Sequence, residues 1–292
     1  MMGDAEAFTR DFLPLFRAVP PARPGVCRIC HSGPNDRADG RPWPICASCK
    51  RTTERLTGHT EHVVPISLTI KDTQLYDVLV RRREPAIGTA RRNRLDFLAA
   101  TLTHFFREHA ACLQGLAGGP FTTVATIPST RTERPIEAFH YMEKVIGKVG
   151  AWARLHRPLL LQAVDAYAPV LAARDSHPAA FRVLGDRGQG DRVQGDGVRG
   201  DGVQGARVLL VDDLFVSGAH VQSAASALIG RGARAVVALV IARLVNPAST
   251  DPYSAGIWQE SGDRRFGFDR CCVCDRDRDH PAARQPVRRA RG

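Results

Sequence analysis

Two groups of residues in this chain have the types and spacing to do chemistry. The first is VLLVDDLFVSGAH, residues 208–220, in which a four-residue apolar run leads into Asp212 and Asp213 and then into a turn carrying Ser217 and Gly218. Uncompensated carboxylates are too costly to bury without a partner, so the pair calls for a ligand. In parallel α/β sheets ligands bind beyond the carboxyl ends of strands, where the chain turns toward a helix. Ser217 and Gly218 read as opening that helix, so that backbone N–H groups and the positive end of the helix dipole face an anion together. Gly218 lets a phosphate approach the backbone closely and Ser217 can donate to it. Two carboxylates repel phosphate but accept hydrogen bonds from hydroxyls, so the combination predicts a sugar diol beside a phosphate. The alternative is that an Asp merely caps a helix. Both acids, however, precede Leu214, Phe215 and Val216, several residues ahead of the expected helix.

The second group is CRIC and CASC, which place Cys27, Cys30, Cys46 and Cys49 in a C-x2-C-x15-C-x2-C pattern. That spacing brings four thiolates around one tetrahedral Zn²⁺, and four protein ligands leave no open position for catalysis, so the role is structural. The Gly-, Pro- and Asp-rich segment between the pairs cannot build a core of its own, and metal binding would supply most of its folding free energy. Reduced, metal-free cysteines are the alternative.

The elements that must position these groups alternate in type. VVPISLTI reads as a strand, and RLDFLAATLTHFFREHAACLQGL as a long amphipathic helix, with Leu95, Leu98, Leu102, Phe105, Phe106 and Leu113 at three- and four-residue steps. Cys112 on this helix reads as a small core side chain rather than a nucleophile. FTTVATI is then a strand, IEAFHYMEKVIGKV a helix, ARVLLV a strand, SGAHVQSAASALIGRG a helix and ARAVVALVIARLV a last strand. Alternation of this kind predicts an α/β fold, a parallel sheet with helices on both faces. A length of 292 residues and a hydrophobic content of 43% suit one such domain with a smaller module beside it. The expected division is residues 1–58 for the N-terminal segment and zinc module, 59–250 for the α/β domain and 251–292 for a Cys-containing, Arg-rich tail. Within the domain, residues 185–205 read as a flexible loop, because Gly-Asp recurs at Gly185, Gly190, Gly195 and Gly200 and the stretch is too polar to offset its ordering entropy.

The formal charge of +11 rests on arginine, since Lys50, Lys71, Lys144 and Lys148 are the only lysines. Arg81, Arg82, Arg83, Arg91, Arg92 and Arg94 form one cluster and Arg284, Arg288, Arg289 and Arg291 another, which fits a polyanionic partner or a simply solvated surface. The N-terminus has no apolar core of a secretion signal, and the run AVVALVIA is too short to span a bilayer. A cytoplasmic protein is expected, as the CxxC usage of its cysteines also suggests.

VLLVDDLFVSGAH resembles the phosphoribosyl-pyrophosphate (PRPP) motif of type I phosphoribosyltransferases: an apolar strand, two acids, then a Thr/Ser-Gly phosphate loop. Taken with the four-cysteine module and a strand ending in IPST at Ile127 to Thr130, the chain is similar to the ComF-type competence family, which is amidophosphoribosyltransferase-like. The resemblance covers most of residues 27 to 245. It implies a type I phosphoribosyltransferase-like fold with a five-stranded parallel core and a hood, and a pentosyltransferase that binds PRPP with Mg²⁺ and passes the phosphoribosyl group to a nitrogen nucleophile with release of pyrophosphate. Under it, Asp212 and Asp213 would hold the ribose hydroxyls. Val216, Ser217, Gly218, Ala219 and His220 would cradle the 5′-phosphate. Pro128, Ser129 and Thr130 would receive the pyrophosphate beside Arg131, and Arg174 in ARDSHPAAFRV would lie on a mobile loop closing over the reacting centre. Val216 and His220 stand where the family loop carries hydroxyl residues; the His220 imidazole can donate in their place or face solvent. The same resemblance admits a non-enzymatic accessory protein for single-stranded DNA, or a regulator that senses PRPP.

In the tail, Cys271 and Cys274 form one further CxxC, with Cys272 between them and His280 six residues on. This half-site could complete a zinc site with His280, pair with another copy of the chain, or stay an unmetallated thiol cluster.

Overall fold

The computed structural model describes residues 5–37, 39–80, 89–130, 141–184 and 203–275. The helices are α1 Ala5–Arg10, α2 Ala47–Thr53, α3 Gln74–Val80, α4 Thr89–Leu116, α5 Tyr141–Ile146, α6 Ala168–Ala172, α7 Ala219–Gly230 and α8 Ser254–Asp263. The strands are β1 Val63–Thr69, β2 Thr123–Thr126, β3 Leu161–Ala163, β4 Phe181–Val183, β5 Arg207–Phe215 and β6 Ala235–Leu244.

β1, β2, β5 and β6 form a parallel sheet in the order β1-β6-β5-β2. Their side chains are buried almost without interruption, as expected of strands covered on both faces. Alternation along β5 and β6 assigns the two faces. Leu209, Val211, Val237, Leu239 and Ile241 join one core with α3, α4 and α5. Val208, Leu210, Val236, Ala238 and Val240 join a second with α7, the paired strands β3 and β4 and the four-cysteine segment. On α4 the predicted stripe is real: Leu98, Leu102, Phe105 and Leu113 are all buried, each worth roughly 1.5–3 kcal/mol.

Four features differ from the sequence reading. The parallel sheet has four strands among the described residues, while β3 and β4 pair separately and antiparallel. β5 does not stop at the acids: it continues to Phe215, with Asp212 opposite Val240 and Phe215 opposite Arg243, because the ten-residue β6 offers backbone partners that far. The segment ARDSHPAAFRV, expected as a mobile loop, is docked. Ser176 donates to the Thr52 carbonyl at 2.6 Å, the His177 amide donates to Ser223 Oγ at 2.9 Å, and the segment ends in β4. The expected tail begins inside the fold, since Ile257 of α8 and Cys272 are buried in the first core. The Gly-Asp repeats, His280 and the C-terminal arginines fall outside the described residues. No described helix is long and apolar enough to cross a membrane.

Candidate functional site

A cavity of about 480 Å³ opens at the carboxyl ends of β2 and β5. Ile127, Pro128, Ser129 and Thr130 bound it on the β2 side, and Asp212, Leu214, Phe215, Val216, Ser217 and Gly218 on the β5 side. His220 and Val221 of α7, Arg174, and Ala168, Pro169, Leu171 and Ala172 of α6 complete the wall with Met142. Two segments 82 to 91 positions apart by the numbering of Ser129, Thr130, Asp212 and His220 thus meet in one cleft, where the topology of a parallel sheet puts a ligand.

The turn between β5 and α7 takes its shape from one glycine. Gly218 is the residue preceding α7 and has φ +93°, a left-handed conformation that costs a side-chain-bearing residue about 1–2 kcal/mol. A Cβ there would lie 2.6 Å from Phe215 Cζ and 3.3 Å from Thr52 Oγ1. Gly218→Ala should therefore displace the turn and destabilise the protein by at least about 1–2 kcal/mol; an unchanged melting temperature would contradict this. Ser217 Oγ accepts the Ala219 amide at 3.3 Å. His220 is not a solvent-facing residue: its Nε2 lies 3.2 Å from Thr130 Oγ1, joining the two segments across the cleft.

The acids part company. On a strand, adjacent side chains point to opposite faces. Asp212 lines the cavity, whereas Asp213 is 1% exposed and lies outside its lining. Ala219 is also buried beneath the turn rather than on the wall. Pro128, Ser129, Thr130, Val216, Ser217, Gly218, His220 and Arg174 all line the one cavity. Arg131 falls outside the described residues, as do the side chains of Arg81, Arg82, Arg83, Arg91 and Arg92. The apolar wall from α6 was not foreseen, since alanine, proline and leucine at 168–172 carry no chemical signal.

The four-cysteine cluster lies behind this turn. Cys27, Cys30, Cys46 and Cys49 are all buried, with their sulfurs within 4.8 Å of one another, so the cluster can coordinate a metal ion. The Cys46 amide donates to Cys27 Sγ at 3.3 Å and the Cys49 amide to Cys46 Sγ at 3.5 Å, the latter capping α2. Burial disfavours charge on Cys30, but hydrogen bonds from Cys27, Cys46 and Cys49 outweigh it and hold that thiol well below its ordinary pKa. Cys46 is lowered too, chiefly by its hydrogen bond with Cys27.

Arg243, near the end of β6, links cluster and turn. It is 5% exposed and donates to the carbonyls of Phe215, Val216 and Leu244 and to Ser32 Oγ. Its guanidinium sits 5.0 Å from the centre of the Phe215 ring. Burial works against its charge, but electrostatic attraction to Cys30, Cys46 and Cys49 outweighs that and raises its pKa. The side chain that fixes the carbonyls of the turn thereby also sets its positive charge against the cysteine cluster.

No protein-family model, curated protein or solved structure matches this chain.

Proposed function

We propose that the cavity at the end of β5 binds a phosphorylated ribose, PRPP, and that the protein is a phosphoribosyltransferase-like enzyme with a structural zinc module. The observation that carries this reading is the convergence of Asp212, the Val216–Gly218 turn, His220 and the Ile127–Thr130 segment on one cleft. In it, Asp212 would accept from the ribose hydroxyls, the amides of the turn and the His220 ring would meet the 5′-phosphate, and Ser129 and Thr130 would donate to the pyrophosphate. Arg174 would supply positive charge at the rim. Among the described residues Asp212 is the one carboxylate in the cavity wall, which suits a hydrated Mg²⁺ carried in by the phosphates rather than an all-protein cage. That ion would neutralise the departing pyrophosphate. Transfer breaks the bond from ribose C1 to pyrophosphate oxygen and forms one from C1 to the acceptor nitrogen, whose surplus proton leaves to water.

Calorimetric titration with PRPP and Mg²⁺ tests the binding. Wild type should bind, and Asp212→Asn should bind at least about tenfold more weakly, as loss of a charge-assisted hydrogen bond implies. Equal binding, or none in the wild type, would reject the assignment. A second reading, a PRPP sensor without turnover, is favoured by one feature: Asp213 is turned away from the cavity. Binding with no pyrophosphate release against a panel of nucleobases and amines would select it.

A further inference from the structure

We propose that His109, Cys112, Cys271 and Cys274 form a second structural zinc site, which fastens the C-terminal segment to α4. The four donor atoms lie within 4.8 Å of one another. Cys271 Sγ is 3.3 Å from Cys274 Sγ, and His109 Nδ1 is 3.7 Å from Cys274 Sγ and 3.9 Å from Cys112 Sγ. Donors around a tetrahedral Zn²⁺ with bonds of about 2.3 Å stand about 3.7 Å apart, so these separations are those of a ligand shell.

The imidazole is set for the task. His109 Nε2 is 2.8 Å from the Phe268 carbonyl oxygen, which can only accept, so Nε2 carries the proton and the Nδ1 lone pair faces the sulfurs. A ligand histidine is typically oriented by such a bond from its other nitrogen. α4 also leaves helical geometry at His109 (φ −124°, ψ 15°), although its sequence has no Pro or Gly nearby to cause a kink. The Cys274 amide donates to Cys271 Sγ at 3.4 Å, repeating the bond from the Cys49 amide to Cys46 Sγ at 3.5 Å in the first cluster.

A His-Cys nucleophile is the competing reading of these side chains. His109 is 2% exposed and its Nδ1 faces two sulfurs at once, Cys274 Sγ at 3.7 Å and Cys112 Sγ at 3.9 Å, which suits an ion shared among the donors rather than one thiolate–imidazole pair, and a Cys3His set leaves a bound Zn²⁺ no open position. Cys272 points instead into the apolar core. The consequence is mechanical: Cys274 is joined to a residue 165 positions earlier, and Phe268 is held stacked on His104 and edge-on to Phe16.

The test is metal stoichiometry on the full chain, by elemental analysis after expression with zinc. Two Zn²⁺ per chain are expected, falling to one in a Cys112→Ser, Cys274→Ser double variant. In Co²⁺-loaded protein, His109→Cys should keep two ions and shift the second site's visible bands toward those of the all-thiolate first site. One Zn²⁺ in the wild type, two that persist in the double variant, or a Cys271–Cys274 disulfide in freshly isolated protein would overturn the proposal. Should the double variant fail to fold, the wild-type count and the His109→Cys spectrum still decide.

Discussion

Cys49→Ser is expected to unfold the N-terminal module outright. Cys49 is fully buried, and its amide bond to Cys46 Sγ caps α2. Structural zinc contributes about 10–16 kcal/mol to small modules of this kind, comparable to or more than the ~5–15 kcal/mol that keeps a whole domain folded. The damage should not stay local. α2 supplies Thr52, whose carbonyl accepts from Ser176 and whose hydroxyl abuts Gly218, and the cysteines themselves pack in the core on that face of the sheet. Limited proteolysis should show rapid cleavage within residues 27–58 and then in the 173–183 segment, along with loss of one metal ion. A variant that melts and digests as the wild type does would show that the cluster is dispensable.

Arg243→Met should be the most damaging single change that leaves every cysteine in place. It removes the donor to the Phe215, Val216 and Leu244 carbonyls and the positive charge facing the cysteine cluster. Losing one partner of a buried charge pair costs about 3–5 kcal/mol, a fall in melting temperature on the order of 10 °C for a chain of this size. Because its bonds end on the turn itself, ligand affinity should fall in the same variant at temperatures where it remains folded. Arg243→Lys should rescue little, since an ammonium cannot reproduce a planar fork reaching several carbonyls. Full stability in Arg243→Met would mean that the cluster and the turn are independent.

How much of this was legible depended on the range of the signal. The C-x2-C-x15-C-x2-C spacing is local and placed the first cluster correctly. The unbroken apolar runs of β5 and β6 and the stripe on α4 followed from periodicity alone. The strand past Asp212 was hidden because its extension depends on the length of β6, a partner rather than a property of β5. That extension in turn decides which acid reaches the cavity. Nothing in the sequence marks Arg243, because its role exists only where β6, the turn and the cysteines meet. The second cluster was out of reach for the same reason. Cys112 on an apolar helix reads as core and Cys271-x2-Cys274 as half a site, until tertiary packing brings His109 between them.

Under the proposed function, a phosphorylated sugar would sit where the end of β5, the first turn of α7 and the Ile127–Thr130 segment face one another. Hydrogen exchange with and without PRPP and Mg²⁺ measures this residue by residue. The account predicts slowed exchange confined to the amides of residues 216–220 and 129–130, and lost in Asp212→Asn. Exchange unchanged at those amides, or slowed only elsewhere in the chain, would contradict it.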